Sequence, residues 1–503
     1  MVIRHLARER WPELALALAL LVISACVFAS SSHTRGTDQF WYVADVESLV
    51  RGQHVTNNIF PANLATPGPL PGRFLHNSIA LYMVAPLAAL WGGQRGWLAT
   101  NLLCTYGLGL IVFVSLREVS TRAAALLASV FLLLPMTVWL TCNALSEPIC
   151  ALLATGCLFV WVQAKGPLGR GLFVLAAVAA ALAKDNLALL LLVPIAGLWL
   201  GRRKGSRRFG TAMYAGGLSA LGFAIFAALR TTVFTENIRY SLAARLISNV
   251  PPKNDNMAPY FLSSAPTFEW ALFWEKLARN LPALARFGPA EAPFFLPFYA
   301  LLGLFLWCLV RNWKGLEADC KEARASVVTI VLLLSHFATA LFFQNAARYT
   351  HFAIPSLLIS TALLVRWTER KVQVLGVCVA CLIPVALVLA FQVRKEGMQE
   401  FVETKRIEQL VDSQLTEGTP LLVVRNGFSF IEAAFALRPR ASLIIEQTDF
   451  CEQLQLYRTR FDVRYVFGPA SFLAARSKRV AGLDRDAGRY SDYGIYDIRT
   501  SCP

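Results

Sequence analysis

At 503 residues the chain is long enough for about three soluble domains of roughly 150 residues each, yet 56% of it is hydrophobic and only 16% is charged. That balance, with a mean hydropathy of +0.50, excludes disorder, collagen, coiled coil and a disulfide-stapled small domain, and leaves a polytopic α-helical membrane protein. The net charge of +16 does not point to nucleic acid: it lies in short Lys/Arg clusters between apolar runs, and only +1 falls after Phe391, where sixteen basic residues meet fifteen acidic ones.

The first element is a basic start (Arg4, Arg8, Arg10) leading into the apolar run Leu14 to Phe28. It has the look of a signal peptide, and Ile23-Ser24-Ala25-Cys26 even resembles a lipobox. With so many spans following, the expectation is an uncleaved first helix. Further apolar runs begin near Trp97, Arg122, Ser146, Gly171, Leu187, Thr211, Phe294, Ala325, Phe352 and Val372. About 20 helical residues are needed to cross a hydrocarbon core about 30 Å thick. One more run, Ser78 to Trp91, is short and contains Pro86.

The basic clusters around Arg4, Arg117/Arg122, Lys165/Arg170, Arg202–Arg208, Arg311–Arg324 and Arg366–Lys371 should all face the cytoplasm. All six do so only if Ser78–Trp91 is re-entrant or interfacial. The expected arrangement is therefore about eleven crossings in residues 1–391, with the N-terminus inside. The outer side of the membrane then receives a first loop (30–77), a second large loop (230–293), the Leu145–Pro148 and Lys184–Asn186 turns, and Gln344–His351.

Residues 392–503 differ in composition and read as a small α/β domain, outside the membrane by the same parity. Strands are expected at Leu421–Val424, Ser442–Ile445, Arg464–Phe467 and Ile495–Ile498, and helices at Ser429–Leu437, Phe450–Phe461 and Ala470–Lys478. Its two cysteines, Cys451 and Cys502, are able to bridge in an oxidising compartment if the fold brings them together. Among the eleven cysteines the one CxxC spacing, Cys378-Val379-Ala380-Cys381, lies inside an apolar run, where cysteine packs as a small hydrophobe, so zinc and redox chemistry are not indicated.

Five places carry candidate chemistry. In Thr37-Asp38-Gln39-Phe40-Trp41-Tyr42, a carboxylate follows the first span inside an aromatic cluster. A partly buried carboxylate at a membrane boundary can take a proton from a hydroxyl, while the plainer reading is a helix cap beside an interfacial aromatic belt. Asp45-Val46-Glu47 admits a divalent metal or a solvated helix face. Glu147, before Pro148, suits a helix start as well as a substrate cavity. Lys184-Asp185-Asn186 interrupts an apolar stretch, and Lys184 is a phosphate-binding candidate, the alternative being a capped tight turn. Arg348-Tyr349 precedes a Pro355-containing span, where Arg348 either forks onto a phosphate or snorkels. His76 is a candidate cavity residue, whereas His336 reads as a core histidine.

The order of these segments resembles the GT-C superfamily of polyprenyl-phosphate-sugar-dependent glycosyltransferases, particularly the protein O-mannosyltransferase and lipid A aminoarabinose transferase branch. Asp38-Gln39-Phe40-Trp41-Tyr42, running on to Gly52, corresponds to that family's acidic-aromatic-tyrosine segment after the first span. Arg73 to Tyr82 corresponds to a later tyrosine segment, without its paired prolines. Glu147, Ala183-Lys184 and Arg348-Tyr349 correspond to three further motifs. Gln39 stands where the family usually has a second acid.

The resemblance implies sugar transfer from a polyprenyl-phosphate-linked donor, with inversion, to a glycan, lipid or protein acceptor at the lipid surface. It implies Asp38 as general base, Lys184 and Arg348 on the donor phosphate, and Tyr42, His76, Tyr82, Glu147 and Tyr349 around the substrate cavity. No metal site and no cofactor are required, although a divalent ion is compatible with the reading. Two alternatives come from other classes: a flippase for a lipid-linked glycan, and a non-catalytic envelope assembly protein.

Overall fold

The computed structural model describes residues 2–30, 37–51, 78–164, 166–200, 208–232, 270–313, 316, 320–342, 346–365, 367–416, 419, 421–424, 442–445, 447, 450–451, 454–455, 458, 463–483, 490–499 and 502. The first-loop segment 52–77 with His76, most of the second large loop (233–269) and the expected helix Ser429–Leu437 lie outside them.

Each apolar run named above becomes a helix or a pair of helices. They are α1 (Val2–Ser30), α2 (Thr37–Val50), α3 (Ser78–Trp91), α4 (Gly93–Leu116), α5 (Thr121–Leu133), α6 (Pro135–Thr141), α7 (Glu147–Gln163) and α8 (Gly166–Ala183). A 3-10 turn over Asp185–Leu192 leads into α9 (Val193–Leu200), followed by α10 (Arg208–Thr232), α11 (Trp270–Asn280), α12 (Ala292–Asn312) and α13 (Lys321–Phe342). A second 3-10 turn, Ala347–Phe352, precedes α14 (Ile354–Leu364) and the 46-residue α15 (Glu369–Gln414).

Among the described residues seven helices are long and apolar enough to cross a bilayer, or eight when the bent pair α5/α6 counts as one. α7, α14 and the Asp185–Leu198 stretch are apolar but shorter. The 59° bend between α5 and α6 falls at Pro135, whose ring removes a donor and clashes with the preceding turn. Ser120 starts α5 by accepting the Ala123 N–H at 3.2 Å, a capping bond that satisfies one of the helix's open donors.

α3, the segment expected to be re-entrant or interfacial, is 14 residues long, or about 20 Å. It turns directly into α4 at Gly92, whose φ of 83° is open to glycine and costly for other residues. Four residues later Gly96 lies against Ala88, where an added Cβ would come within 2.5 Å of backbone. Only a glycine allows the two helices this approach.

The bundle core is one continuous apolar cluster drawn from α1, α4, α5, α7, α8, α13, α14 and the first half of α15. A second cluster joins α2, α3, α4 and the α6–α7 turn through Tyr42, Val46, Leu81, Val84, Trp97 and Leu145.

α15 is about 69 Å long at 1.5 Å per residue, roughly twice what a bilayer core needs. Its apolar first half packs on α1, α5 and α6, and its polar second half runs without a break past Phe391 to the C-terminal sheet. The sheet has five strands in the order β2-β1-β3-β5-β4. They are β1 (Leu421–Val424), β2 (Ser442–Ile445), β3 (Tyr465–Pro469), β4 (Lys478–Gly482) and β5 (Tyr493–Asp497). β1 pairs parallel with β2 and β3, and β5 pairs antiparallel with β3 and β4.

Here the sequence expectation needs one correction. The helix expected over Ala470–Lys478 stops at Leu473, as the short α16 (Ala470–Leu473), and β4 was not foreseen. β4 is an exposed edge strand opening with Lys478 and Arg479, so it lacks the apolar alternation that marks a half-buried strand. Charged residues at such an edge discourage pairing with another chain.

Cys451 and Cys502 are joined, with Cα atoms 5.4 Å apart across 51 residues of sequence. Opening this bridge by Cys451→Ser is expected to destabilise the sheet domain by about 4 kcal/mol on the loop-entropy account. A fall in the thermal midpoint at which protease frees the C-terminal domain checks this; an unchanged midpoint would contradict it.

Helix α2 connects the two parts of the molecule. One face, Tyr42, Val43 and Val46, belongs to the cluster with α3 and α4. Phe40 and Ala44 instead join Ile407, Val411, Leu415, Leu421, Tyr490 and Ile495 in the core of the C-terminal sheet. The first-loop helix and the C-terminal sheet therefore occupy the same end of the bundle.

Candidate active site

At that end, four helix junctions converge. Glu147 opens α7, where its side chain is fully buried and its Oε1 accepts from Lys184 Nζ at 3.1 Å. The same oxygen lies 3.6 Å from Arg348 Nε. Lys184 retains 17% and Arg348 22% of their side-chain exposure. One sequestered carboxylate thus holds two cations that remain open on one side, and the group carries a net positive charge.

Local sequence explains each position. Pro148 sits in the first turn of α7, where its missing N–H costs no hydrogen bond, and an acid there is favoured by the helix dipole. Lys184 is the extended residue between α8 and the 3-10 turn, so its side chain leaves the helix axis. The turn is locked on α13, since Asn186 Nδ2 donates to Thr339 Oγ1 at 3.0 Å and Ser335 Oγ donates to the Asn186 carbonyl at 2.6 Å. Lys184 occupies the N-cap position of this turn without a side-chain cap, and the Asn186 amide is engaged by α13. Ser146 likewise makes no side-chain cap at α7.

Aromatic rings enclose the cations. Lys184 Nζ stands 4.9 Å from the Tyr349 ring centre and 5.7 Å from that of Phe352, within cation–π range. Arg348 Nη2 donates to Tyr349 Oη at 3.3 Å. His351, fully buried, stacks on Phe131 with ring centres 5.7 Å apart and feels the Glu147 charge.

α2 reaches this group through buried polar contacts. Trp97 Nε1 donates to the Tyr42 carbonyl at 3.0 Å, and the two rings lie 5.4 Å apart. In the turn just before Glu147, Gln39 donates to the Asn143 side-chain oxygen and accepts from the Ala144 backbone N–H. Asp38 lies in the first turn of α2, adjacent to Gln39, and its side chain is outside the described part of the molecule, as is all of His76.

Of the candidates from sequence, Glu147, Lys184, Arg348, Tyr349 and Tyr42 come together. Tyr82, on α3, keeps 47% exposure. His336 is a core residue with its ring centre 4.8 Å from that of Phe298. Asp45 is buried and Glu47 lies against Gly93. Among the described residues no group of three His, Cys, Asp or Glu side chains gathers as a metal site. Sequence reasoning missed Asn101, Asn143 and His351, and noted Gln39 only as a departure from the family's second acid. The signal for the asparagines was present, since a buried amide in an apolar run needs a dedicated partner.

No protein-family model matches the chain, and no curated protein does. Solved structures do. ArnT from Cupriavidus metallidurans bound to undecaprenyl phosphate superposes with a TM-score of 0.59 at 14% identity, covering 98% of this chain and 99% of that one. Its apo state gives 0.61. The chain carries the GT-C fold. An archaeal oligosaccharyltransferase, AglB from Archaeoglobus fulgidus, in complex with an inhibitory peptide and a dolichol-phosphate, matches with a TM-score of 0.53 at 12% identity over 92% of this chain and 70% of its own. The likeness to ArnT runs through the C-terminal sheet as well as the bundle, because nearly the whole of both chains is covered. The GT-C fold thus extends to a part of the sequence that no motif had matched.

Proposed function

We propose that the chain is an integral-membrane glycosyltransferase that moves a sugar from a polyprenyl-phosphate carrier to a cell-envelope acceptor on the periplasmic face. The observation that carries this reading is the Glu147–Lys184–Arg348 group, two cations held on one buried carboxylate beside the helix that bears Asp38. The solved relatives with this fold are bound to undecaprenyl phosphate and to dolichol-phosphate, which supports the donor class.

In this reading Asp38 takes the proton of the acceptor hydroxyl. The hydroxyl oxygen attacks the sugar C1 opposite the phosphate, the C1–O bond to phosphate breaks, and the configuration inverts. Lys184 and Arg348 stabilise the charge that collects on the departing polyprenyl phosphate, an electrostatic role fixed before reaction begins. Tyr42, Tyr349, Glu147, His76 and Tyr82 belong to the substrate cavity. Residues 1–391 form the catalytic membrane domain and residues 392–503 the periplasmic domain, with α15 common to both. The acceptor is lipopolysaccharide or another glycan ahead of protein.

The test is reconstitution of the purified chain in liposomes with a panel of radiolabelled polyprenyl-phosphate sugars and lipid or glycan acceptors. Sugar appearing on the acceptor together with free polyprenyl phosphate is the expected result. Label that crosses the bilayer without transfer would favour the flippase, and neither outcome would leave the assembly protein.

A further inference from the structure

The polar contacts of Gln39 have only one consistent pattern of donors and acceptors. The side chain is 4% exposed. Its Oε1 accepts the Ala144 backbone N–H at 3.0 Å, so its amide nitrogen must point the other way, to Asn143 Oδ1 at 2.7 Å. Asn143 Nδ2 in turn donates to the Trp139 carbonyl. A backbone donor fixes one end of this chain and a backbone acceptor the other, so neither amide can flip without placing two oxygens in contact. Asn101 closes the turn from behind, with its Nδ2 donating to the Asn143 carbonyl at 2.8 Å and the Leu145 carbonyl at 2.9 Å.

Two residues beyond Leu145 is Glu147, and one residue before Gln39 is Asp38. We propose that Gln39 is a positioning residue that fixes the Asp38 end of α2 against the turn carrying Glu147, and so sets the distance between the base and the two cations. This rests on the glycosyl-transfer reading. An ionised carboxylate accepts from Ala144 but has nothing to donate to Asn143 Oδ1, and a buried unmatched pair of oxygens is costly. A protonated carboxyl, by contrast, offers one O–H and one C=O, the same pattern as glutamine.

That equivalence supplies the test. In the reconstituted protein, Gln39→Glu should lower kcat about 10- to 100-fold near neutral pH, the scale expected when a reacting group is displaced by around 1 Å. The ratio of mutant to wild-type kcat should climb as the pH is lowered and residue 39 takes up a proton. Gln39→Ala should be slow at every pH, with the KM for the donor little changed in both variants. Hydrogen exchange of residues 37–50, corrected for intrinsic rate, should rise in Gln39→Glu at neutral pH and fall back in acid.

A Gln39→Glu protein with wild-type kcat and wild-type exchange, or a loss in both that is equal across the pH range, overturns the proposal. Should the wild type transfer sugar from no carrier, the glycosyl-transfer reading falls, and the exchange measurement still decides whether Gln39 holds the helix.

Discussion

Replacing Asp38 by asparagine is expected to lower kcat about 10²- to 10⁴-fold, the usual contribution of a positioned proton acceptor. Asparagine keeps the size of the side chain and its ability to accept a hydrogen bond. It loses the basic oxygen that removes the acceptor's proton as the C1–O bond forms. The loss should therefore appear in kcat and kcat/KM together, as it does when an interaction made only in the transition state is removed. Affinity for the carrier, read by fluorescence quenching with polyprenyl phosphate, should barely move. Turnover within about twofold of wild type in single-turnover assays would remove Asp38 as the base.

The second large effect is structural. Glu147→Ala leaves Lys184 and Arg348 facing each other across a buried site, with their shared counter-charge gone. Removing one partner of a buried ion group typically costs about 3–5 kcal/mol, because the uncompensated charges stay behind. A marked fall in the thermal midpoint in detergent is the expected result. Polyprenyl phosphate should restore more stability to this variant than it adds to the wild type, since its phosphate takes the place of the missing carboxylate. A midpoint equal to wild type would mean that Glu147 does not neutralise the two cations, and equal stabilisation of both proteins by the ligand would mean that the phosphate does not take the place of its carboxylate.

These two expectations differ in kind because the site is assembled from different sources. Glu147, Lys184 and Arg348 sit at helix ends in a chain that is otherwise apolar there, and each ionisable residue among long hydrophobic runs is conspicuous by its cost. Their candidacy was therefore legible from sequence. Their mutual arrangement was not, because the three residues are separated by long stretches of chain and meet only once α7, α8 and the Ala347–Phe352 turn have packed. From sequence, Lys184 and Arg348 are expected together on one donor phosphate, with Glu147 only in the surrounding cavity. In the folded protein they share one oxygen of Glu147, so the carboxylate becomes the organising group of the site.

The C-terminal domain shows a similar division. Its four apolar strands were visible in the pattern of branched and aromatic residues, while the charged edge strand Lys478–Gly482 was hidden because nothing about it is apolar or alternating. The bridge between Cys451 and Cys502 depends on a 5.4 Å separation that sequence cannot express.

By itself the sequence determined that this is a helical membrane protein, where its apolar runs lie, and which few ionisable residues interrupt them. Hydropathy is a sum over neighbouring residues, and burial of apolar surface responds directly to that sum. Only the tertiary structure decided that α2 is held between the bundle and the sheet, that Gln39 fastens it to the Asn143–Ala144 turn, and that one glutamate serves two cations. Those facts are contacts across gaps of 37 residues between Glu147 and Lys184 and of more than a hundred for the others. A hydrogen bond or a buried ion pair depends on position to within about half an ångström, and that precision arises only when the packed helices have fixed their register.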